Sequence, residues 1–172
     1  MRFHEMIGLP VYDIETGKRV GKVLDLMLND EWVLQGILLE RKHLFSSTKI
    51  VLWQDIVAYG EDAVMISNQQ AIHKQDADNI NLTFLTGKEK LKELSVLTED
   101  GIMIGHVSDV YFDQKKGNTI TGIEISDGFF ADLMEGRKML PLLPGMSMGE
   151  NVIMVPSLSE QRLETPMNYS DG

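Results

Sequence analysis

Gly17-Lys-Arg-Val-Gly21-Lys-Val-Leu-Asp25 and Gly101-Ile-Met-Ile-Gly105-His-Val-Ser-Asp109 carry the same punctuation: glycine, three residues, glycine, then valine and aspartate on alternate positions. The correspondence continues outward. Gly8-Leu-Pro-Val-Tyr-Asp-Ile-Glu-Thr precedes the first stretch and Glu93-Leu-Ser-Val-Leu-Thr-Glu-Asp the second. Downstream, Gln35-Gly36-Ile37 meets Thr121-Gly122-Ile123, and Tyr59-Gly-Glu-Asp-Ala-Val-Met-Ile66 meets Met148-Gly-Glu-Asn-Val-Ile-Met-Val155. The offset widens only from 84 to 89, so the chain is a duplicated domain with small loop insertions. Solenoid repeats run at roughly 20–50 residues and cannot bury a core alone. Two units of about 70 residues sit instead near the lower size for a domain without disulfides or metal.

The 172 residues are 43% hydrophobic, an ordinary globular share. Sixteen basic and 26 acidic residues give a net charge of −10. Residues 1–86 hold 8 basic and 12 acidic residues, and residues 87–172 hold 8 and 14. Neither half has the basic excess that nucleic-acid phosphates reward, so direct nucleic-acid binding is disfavoured. The same net charge disfavours anionic lipid, although a surface patch can oppose it. With no cysteine, disulfides and thiolate chemistry are absent. The N-terminus lacks a signal-peptide pattern, no run reaches the roughly 18 apolar residues of a membrane span, and the expected location is cytoplasmic.

Short apolar runs punctuated by turns predict strands at Val20–Leu28, Trp32–Leu39, Lys49–Trp53 and Ala63–Ile66. Their counterparts are expected at Ser95–Leu97, Met103–Phe112, Thr119–Ile125, Lys138–Leu142 and Val152–Val155. Gly17 and Gly101 read as hairpin glycines, and Gly21 and Gly105 as bulges or bends inside strands. Short bent strands at regular spacing point to small closed barrels. Residues 69–78 could form a brief helix, but the stretch is mostly polar and reads as a linker with local structure. The expected domains are 1–68, a linker over 69–90, 91–158, and a flexible tail over 159–172.

These residues resemble the PRC-barrel family. Its pattern is a Gly-x-x-x-Gly-x-Val-x-Asp stretch, a hairpin, an Ile/Val-x-Gly-Ile strand, a further strand, and a closing Gly-Glu-Asp-Ala-Val-like stretch. The first copy supplies Gly17 to Asp25, Leu34-Gln-Gly36-Ile37, Ile50-Val-Leu-Trp53-Gln-Asp-Ile56 and Tyr59 to Val64. The second supplies Gly101 to Asp109, Ile120-Thr-Gly122-Ile123, Met139-Leu-Pro141 and Gly149 to Ile153, with Asn151 in place of the usual Asp. The arrangement is similar to the stand-alone two-barrel proteins of spore-forming Gram-positive bacteria. The resemblance implies a mainly β fold of two tandem small PRC-type barrels joined by a partly ordered linker. It implies no catalytic residue and no cofactor. Relatives include the cytoplasmic domain of the photosynthetic reaction-centre H subunit and the C-terminal domain of a ribosome maturation factor, where the barrel resembles a docking platform.

The remaining constellations favour structure over chemistry. His4, His43, His73 and His106 are dispersed, without the helical i,i+4 pairing of a metal site. Asp76-Ala-Asp78-Asn79 lacks the glycine and terminal glutamate of a calcium loop. Asp25 and Asp109 recur in both copies, as expected of carboxylates accepting backbone N–H groups at a bend. The repeat positions Gly17, Gly21, Asp25, Gly36, Gly60, Gly101, Gly105, Asp109, Gly122 and Gly149 are read as structural.

One segment stands apart. Ser126-Asp-Gly-Phe129-Phe130-Ala-Asp-Leu133-Met134-Glu-Gly-Arg-Lys138 joins two strands and spaces Phe129, Phe130, Leu133 and Met134 as a helix would. The first copy has Arg41-Lys-His-Leu44-Phe45-Ser-Ser-Thr48 in the same place. The segment either plugs the end of its barrel or buries the contact between halves, or else forms an exposed apolar anchor for another protein. Phe129, Phe130, Leu133, Met134, Leu44 and Phe45 are the candidate partner-binding residues. The expected function is a non-enzymatic docking module. The alternatives are a ribosome- or RNA-processing-associated factor acting through a ribosomal protein, and small-ligand binding between the barrels. Free strand edges leave a homodimer open.

Overall fold

A computed structural model describes residues 1–164, without the side chains of Phe129 and Phe130; the end of the expected tail, residues 165–172, lies outside the described residues. The chain divides into two compact units, Phe3–Lys90 and Met1–Arg2 with Leu91–Gly172. Each is a curled, mainly β sheet.

The first unit opens with a short helix α1 (Phe3–Met6) and runs through β1 (Pro10–Asp13), β2 (Arg19–Leu28), β3 (Leu34–Leu39), β4 (Thr48–Leu52), β5 (Ile56–Tyr59), β6 (Val64–Ile66), β7 (Ile72–Gln75), β8 (Leu82–Thr83) and β9 (Glu89–Lys90). The second has β10 (Ser95–Thr98), β11 (Met103–Phe112), β12 (Ile120–Ser126), a helix α2 (Phe129–Glu135), β13 (Lys138–Pro141), β14 (Ser147–Met148) and β15 (Val152–Val155). Strand order is β5-β6-β1-β2-β3-β4-β7 in one sheet and β13-β12-β11-β10-β15-β14 in the other. Equivalent strands pair alike: β1 runs parallel to β6 with Val11 opposite Val64, and β10 parallel to β15 with Val96 opposite Ile153.

Local chemistry sets the bends. The Asp13 carboxylate accepts the N–H of Glu15 at 2.8 Å and of Thr16 at 3.3 Å, and Gly17 turns the chain at φ +68°. In the second unit Thr98 Oγ1 accepts the Ile102 N–H at 2.8 Å, and Gly101 turns at φ +88°. Pairing slips between Val11 and Tyr12, and between Val96 and Leu97, so a bulge sits beside Gly21 and beside Gly105. Such bulges bend a strand and tighten the sheet's curl. Gly36 and Gly122 serve close approach. A Cβ on Gly36 would collide with the Val51 carbonyl oxygen, and one on Gly122 would come within 2.8 Å of the Leu140 carbonyl oxygen.

The first core gathers Phe3, Val23, Leu26, Ile37, Val51 and Phe84, all buried, with the rings of Phe3 and Phe84 edge-to-face at 5.4 Å. The second gathers Val96, Val107, Phe112, Ile123, Leu140 and Ile153. Full burial of each large side chain contributes about 1.5–3 kcal/mol.

The local structure of residues 69–78 is strand and 3-10 turn rather than a brief helix. A 3-10 turn at Gln69–Ala71 leads into β7, which pairs antiparallel with β4. The otherwise open edge of β4 supplies unpaired backbone groups, and these outweigh the weak local preference of a polar segment. At the other end, residues 159–162 form a 3-10 turn, and Glu164 pairs with Met139 along β13 through two backbone bonds of 2.7 Å.

Candidate docking surfaces

The β12–β13 connection is a built structure. Helix α2 starts after Gly128 at φ +111° and stops at Gly136 at φ +78°. Asp132 clamps it, accepting from Ser126 Oγ at 2.6 Å and the Asp127 N–H at 3.2 Å, with Arg137 Nε at 3.4 Å. Burial alone pushes the Asp132 carboxyl up, but these hydrogen bonds outweigh it and hold the group below the usual carboxylate range. Leu133 is 71% exposed and Met134 83%. The side chains of Phe129 and Phe130 lie outside the described residues.

The β3–β4 connection holds the equivalent place in the first unit. It is tied by Ser46 Oγ donating to the His43 carbonyl at 2.7 Å and by Arg41 donating to Thr48 Oγ1 at 2.6 Å. At its tip Leu44 is 82% exposed and Phe45 96%. Both units thus carry large, solvated apolar side chains on the same connection.

The surroundings differ. The first tip borders two clefts of about 660 and 420 Å³ that share Arg41, Ser46, Ser47 and Lys74. Arg19, Lys22, Arg41, Lys42, Lys49 and Lys74 line them, six of the eight basic residues in 1–86. Among carboxylates only Glu40, bridged to Lys22 at 3.6 Å, and Asp76 reach the lining. Sequence reading missed this cleft. Arg41-Lys42-His43 beside the exposed Leu44-Phe45 was its one local signal.

Three inherited positions have diverged, two of them from apolar to polar. Register places Met27, Leu38 and Ile50 of the first unit where the second has Tyr111, Glu124 and Met139. The first set is an apolar cluster with Ile80. In the second, buried Glu124 accepts from Tyr111 Oη at 3.2 Å and lies 3.7 Å from both Arg2 and Arg137. Burial, and then the Glu124 charge, push the Tyr111 hydroxyl above its ordinary value, so it remains a neutral donor. Arg2 reaches Glu124 because Met1–Arg2 lies along β11: Met1 exchanges hydrogen bonds of 3.1 and 2.9 Å with Phe112, and Arg2 pairs with Tyr111.

The recurring aspartates are buried. Asp25 Oδ1 accepts the Leu26 N–H at 2.8 Å, and its two oxygens accept the N–H of Leu85 and of Thr86 and the Thr86 hydroxyl at 2.7–3.0 Å. Asp109 accepts the Val110 N–H at 2.8 Å. Among the described residues no three His, Asp or Glu side chains are grouped to hold a metal ion, and no helix is long and apolar enough to cross a membrane.

Comparison with known proteins agrees with the duplicated topology. Residues 1–71 and 88–162 each match the model of the PRC-barrel domain. The chain is similar to "Uncharacterized protein YrrD" of Bacillus subtilis (strain 168), at 27% identity over 140 residues, covering 80% of this chain and 76% of that protein. PRC-barrel domains are generally interaction modules. A glycine-punctuated repeat, two sheets of matching strand order and two family matches make this chain a member of the PRC-barrel family, with two barrels in tandem.

Proposed function

We propose that this protein is a non-enzymatic docking module of the cytoplasm that binds another protein through the connections at the tips of its barrels. The observation that supports this reading is the recurrence of exposed apolar side chains on one connection in both units: Leu44 and Phe45 in the first, Leu133 and Met134 in the second. Isolated exposed apolar residues are ordinary on a protein surface, but paired, structurally clamped ones mark contact sites. Helix α2 suits a protein groove. Asp132 and two flanking glycines hold its ends, so little ordering remains to oppose association. Phe129 and Phe130 complete the proposed surface.

Capture from a lysate of the source cells with the full chain, followed by reconstitution with the purified partner, tests the proposal. Leu133→Ser with Met134→Ser, and separately Phe129→Ser with Phe130→Ser, should weaken the reconstituted complex at least tenfold, the loss of one or two apolar anchors. A partner that binds both double variants as well as the parent chain refutes the assignment.

A further inference from the structure

We propose that the first barrel docks, through its Arg41–Ser47 tip and the adjoining cleft, on an anionic phospholipid surface. The inference rests on the docking reading only in treating that tip as a contact surface, and it names a different class of partner for it.

Three observations converge. The first is charge segregation. A chain of net charge −10 places six cations around one cleft. Arg19, Lys42, Lys49 and Lys74 there have no carboxylate within 4.0 Å among the described residues. Net repulsion is screened beyond about 8 Å at physiological ionic strength, so the patch, not the total, decides a close contact.

The second is an uncompensated pair. Lys49 and Lys74 stand directly opposite each other across β4 and β7. Like charges at that position destabilise a sheet, and an anion seated over them removes the cost.

The third is the tip. Leu44 and Phe45 project almost fully solvated, between Arg41-Lys42-His43 on one side and Ser46-Ser47 on the other. A small free phosphate has no use for two projecting apolar side chains. A single-stranded nucleic acid would stack its bases on aromatic walls. The cleft offers none beyond the His43 ring. An anionic bilayer meets both needs. Headgroup phosphates seat among the cations while Leu44 and Phe45 enter the acyl boundary, as interfacial apolar residues do. The equivalent α2 tip has the mixed charges of Asp127, Asp132, Glu135, Arg137 and Lys138 around it and lacks this design.

Sedimentation of the full chain with lipid vesicles tests the proposal. Vesicles of equal phosphatidylcholine and phosphatidylglycerol should bind it, and pure phosphatidylcholine should not. Each cation near such a surface is worth about a fivefold change in partition. Lys49→Gln with Lys74→Gln should therefore lower partition roughly 25-fold, and Leu44→Ser with Phe45→Ser at least tenfold. Lys74, Leu44 and Phe45 are exposed and Lys49 is half-exposed, and the parent chain's own loss of binding with rising salt gives a readout independent of any variant. The indole introduced by Phe45→Trp should be quenched by lipids brominated on the acyl chain. Leu133→Ser with Met134→Ser should leave vesicle binding unchanged, which separates failure here from failure of the protein-docking reading. No binding to phosphatidylglycerol vesicles overturns the proposal. So does binding that is insensitive to both double variants, or that a single-stranded oligonucleotide displaces without any quenching of the new indole.

Discussion

Asp25→Asn is the substitution that most directly tests how the first barrel is held together. The carboxylate is fully buried and takes four donors: the N–H groups of Leu26, Leu85 and Thr86 and the Thr86 hydroxyl. Asparagine keeps one oxygen, which can still serve Leu26 and Leu85. Its amide nitrogen must then face the Thr86 N–H, donor against donor. One charge-assisted bond is lost, about 1.5–3 kcal/mol, and the two retained bonds fall to neutral strength, roughly 1 kcal/mol between them after partial replacement by water. The expected cost is about 3 kcal/mol. With a urea dependence of about 1–2 kcal/mol/M for a unit of this size, the midpoint of the first barrel should fall by roughly 2 M. Hydrogen exchange supplies the local readout, because the Leu85 and Thr86 amides should exchange about 100-fold faster. An Asp25→Asn chain with an unshifted midpoint and unchanged protection at those two amides would refute the reasoning.

Further outcomes follow from the same geometry. Gly36→Ala and Gly122→Ala should each destabilise their own barrel by about 1–3 kcal/mol, since both methyls meet the backbone of the facing strand, with the closer approach at Gly36 giving the larger loss. Thermal unfolding followed in each barrel measures both losses. Tyr111→Met combined with Glu124→Leu rebuilds the first barrel's apolar cluster in the second and should be neutral or stabilising, whereas Tyr111→Phe alone should cost about 1 kcal/mol, as chemical denaturation would show. The Asp13 carboxyl is pushed up by burial, but its bonds to Thr16 and Glu15 prevail and hold it below its ordinary value of about 4. A carboxyl lowered by folding contributes stability above its unfolded pKa and loses that contribution as pH falls through the folded one. Acidification below about pH 4 should therefore lower the urea midpoint, and Asp13→Asn should flatten the decline. Tyr111 has the opposite sign. Its folded value is raised, so its contribution is complete below about pH 10 and is lost as pH climbs; tyrosine absorbance should show a late-ionising phenol that Tyr111→Phe removes.

The barrels were readable because their signals are local and repeated. Gly36 and Gly122 stand where a methyl would strike a facing strand, so each copy keeps the same punctuation. Asp25 recurs for a similar reason, as its four donors require a carboxylate. Strand β7 was not readable. Ile72-His-Lys-Gln75 has little strand character of its own, and β4 recruits it. The cationic cleft escaped notice because its residues are scattered from Arg19 to Lys74, and a sum over the chain averages them away. The apolar tips were visible as composition, but their exposure depends on how tightly Asp132 and Thr48 tie the two connections.

The bonding of Met1 to Phe112 has a consequence for the order of assembly. The two residues are separated by 111 positions. A nascent chain exposes its first residues long before β11 exists to receive them. Closing so long a loop costs roughly 2 kcal/mol more in chain entropy than closing one of ten residues, so the ribosome releases this edge first and the second barrel acquires it among its last steps. A pause or a chaperone acting on the emerging Met1–Arg2 edge would therefore be felt not in the barrel being synthesised, but in the one still to come.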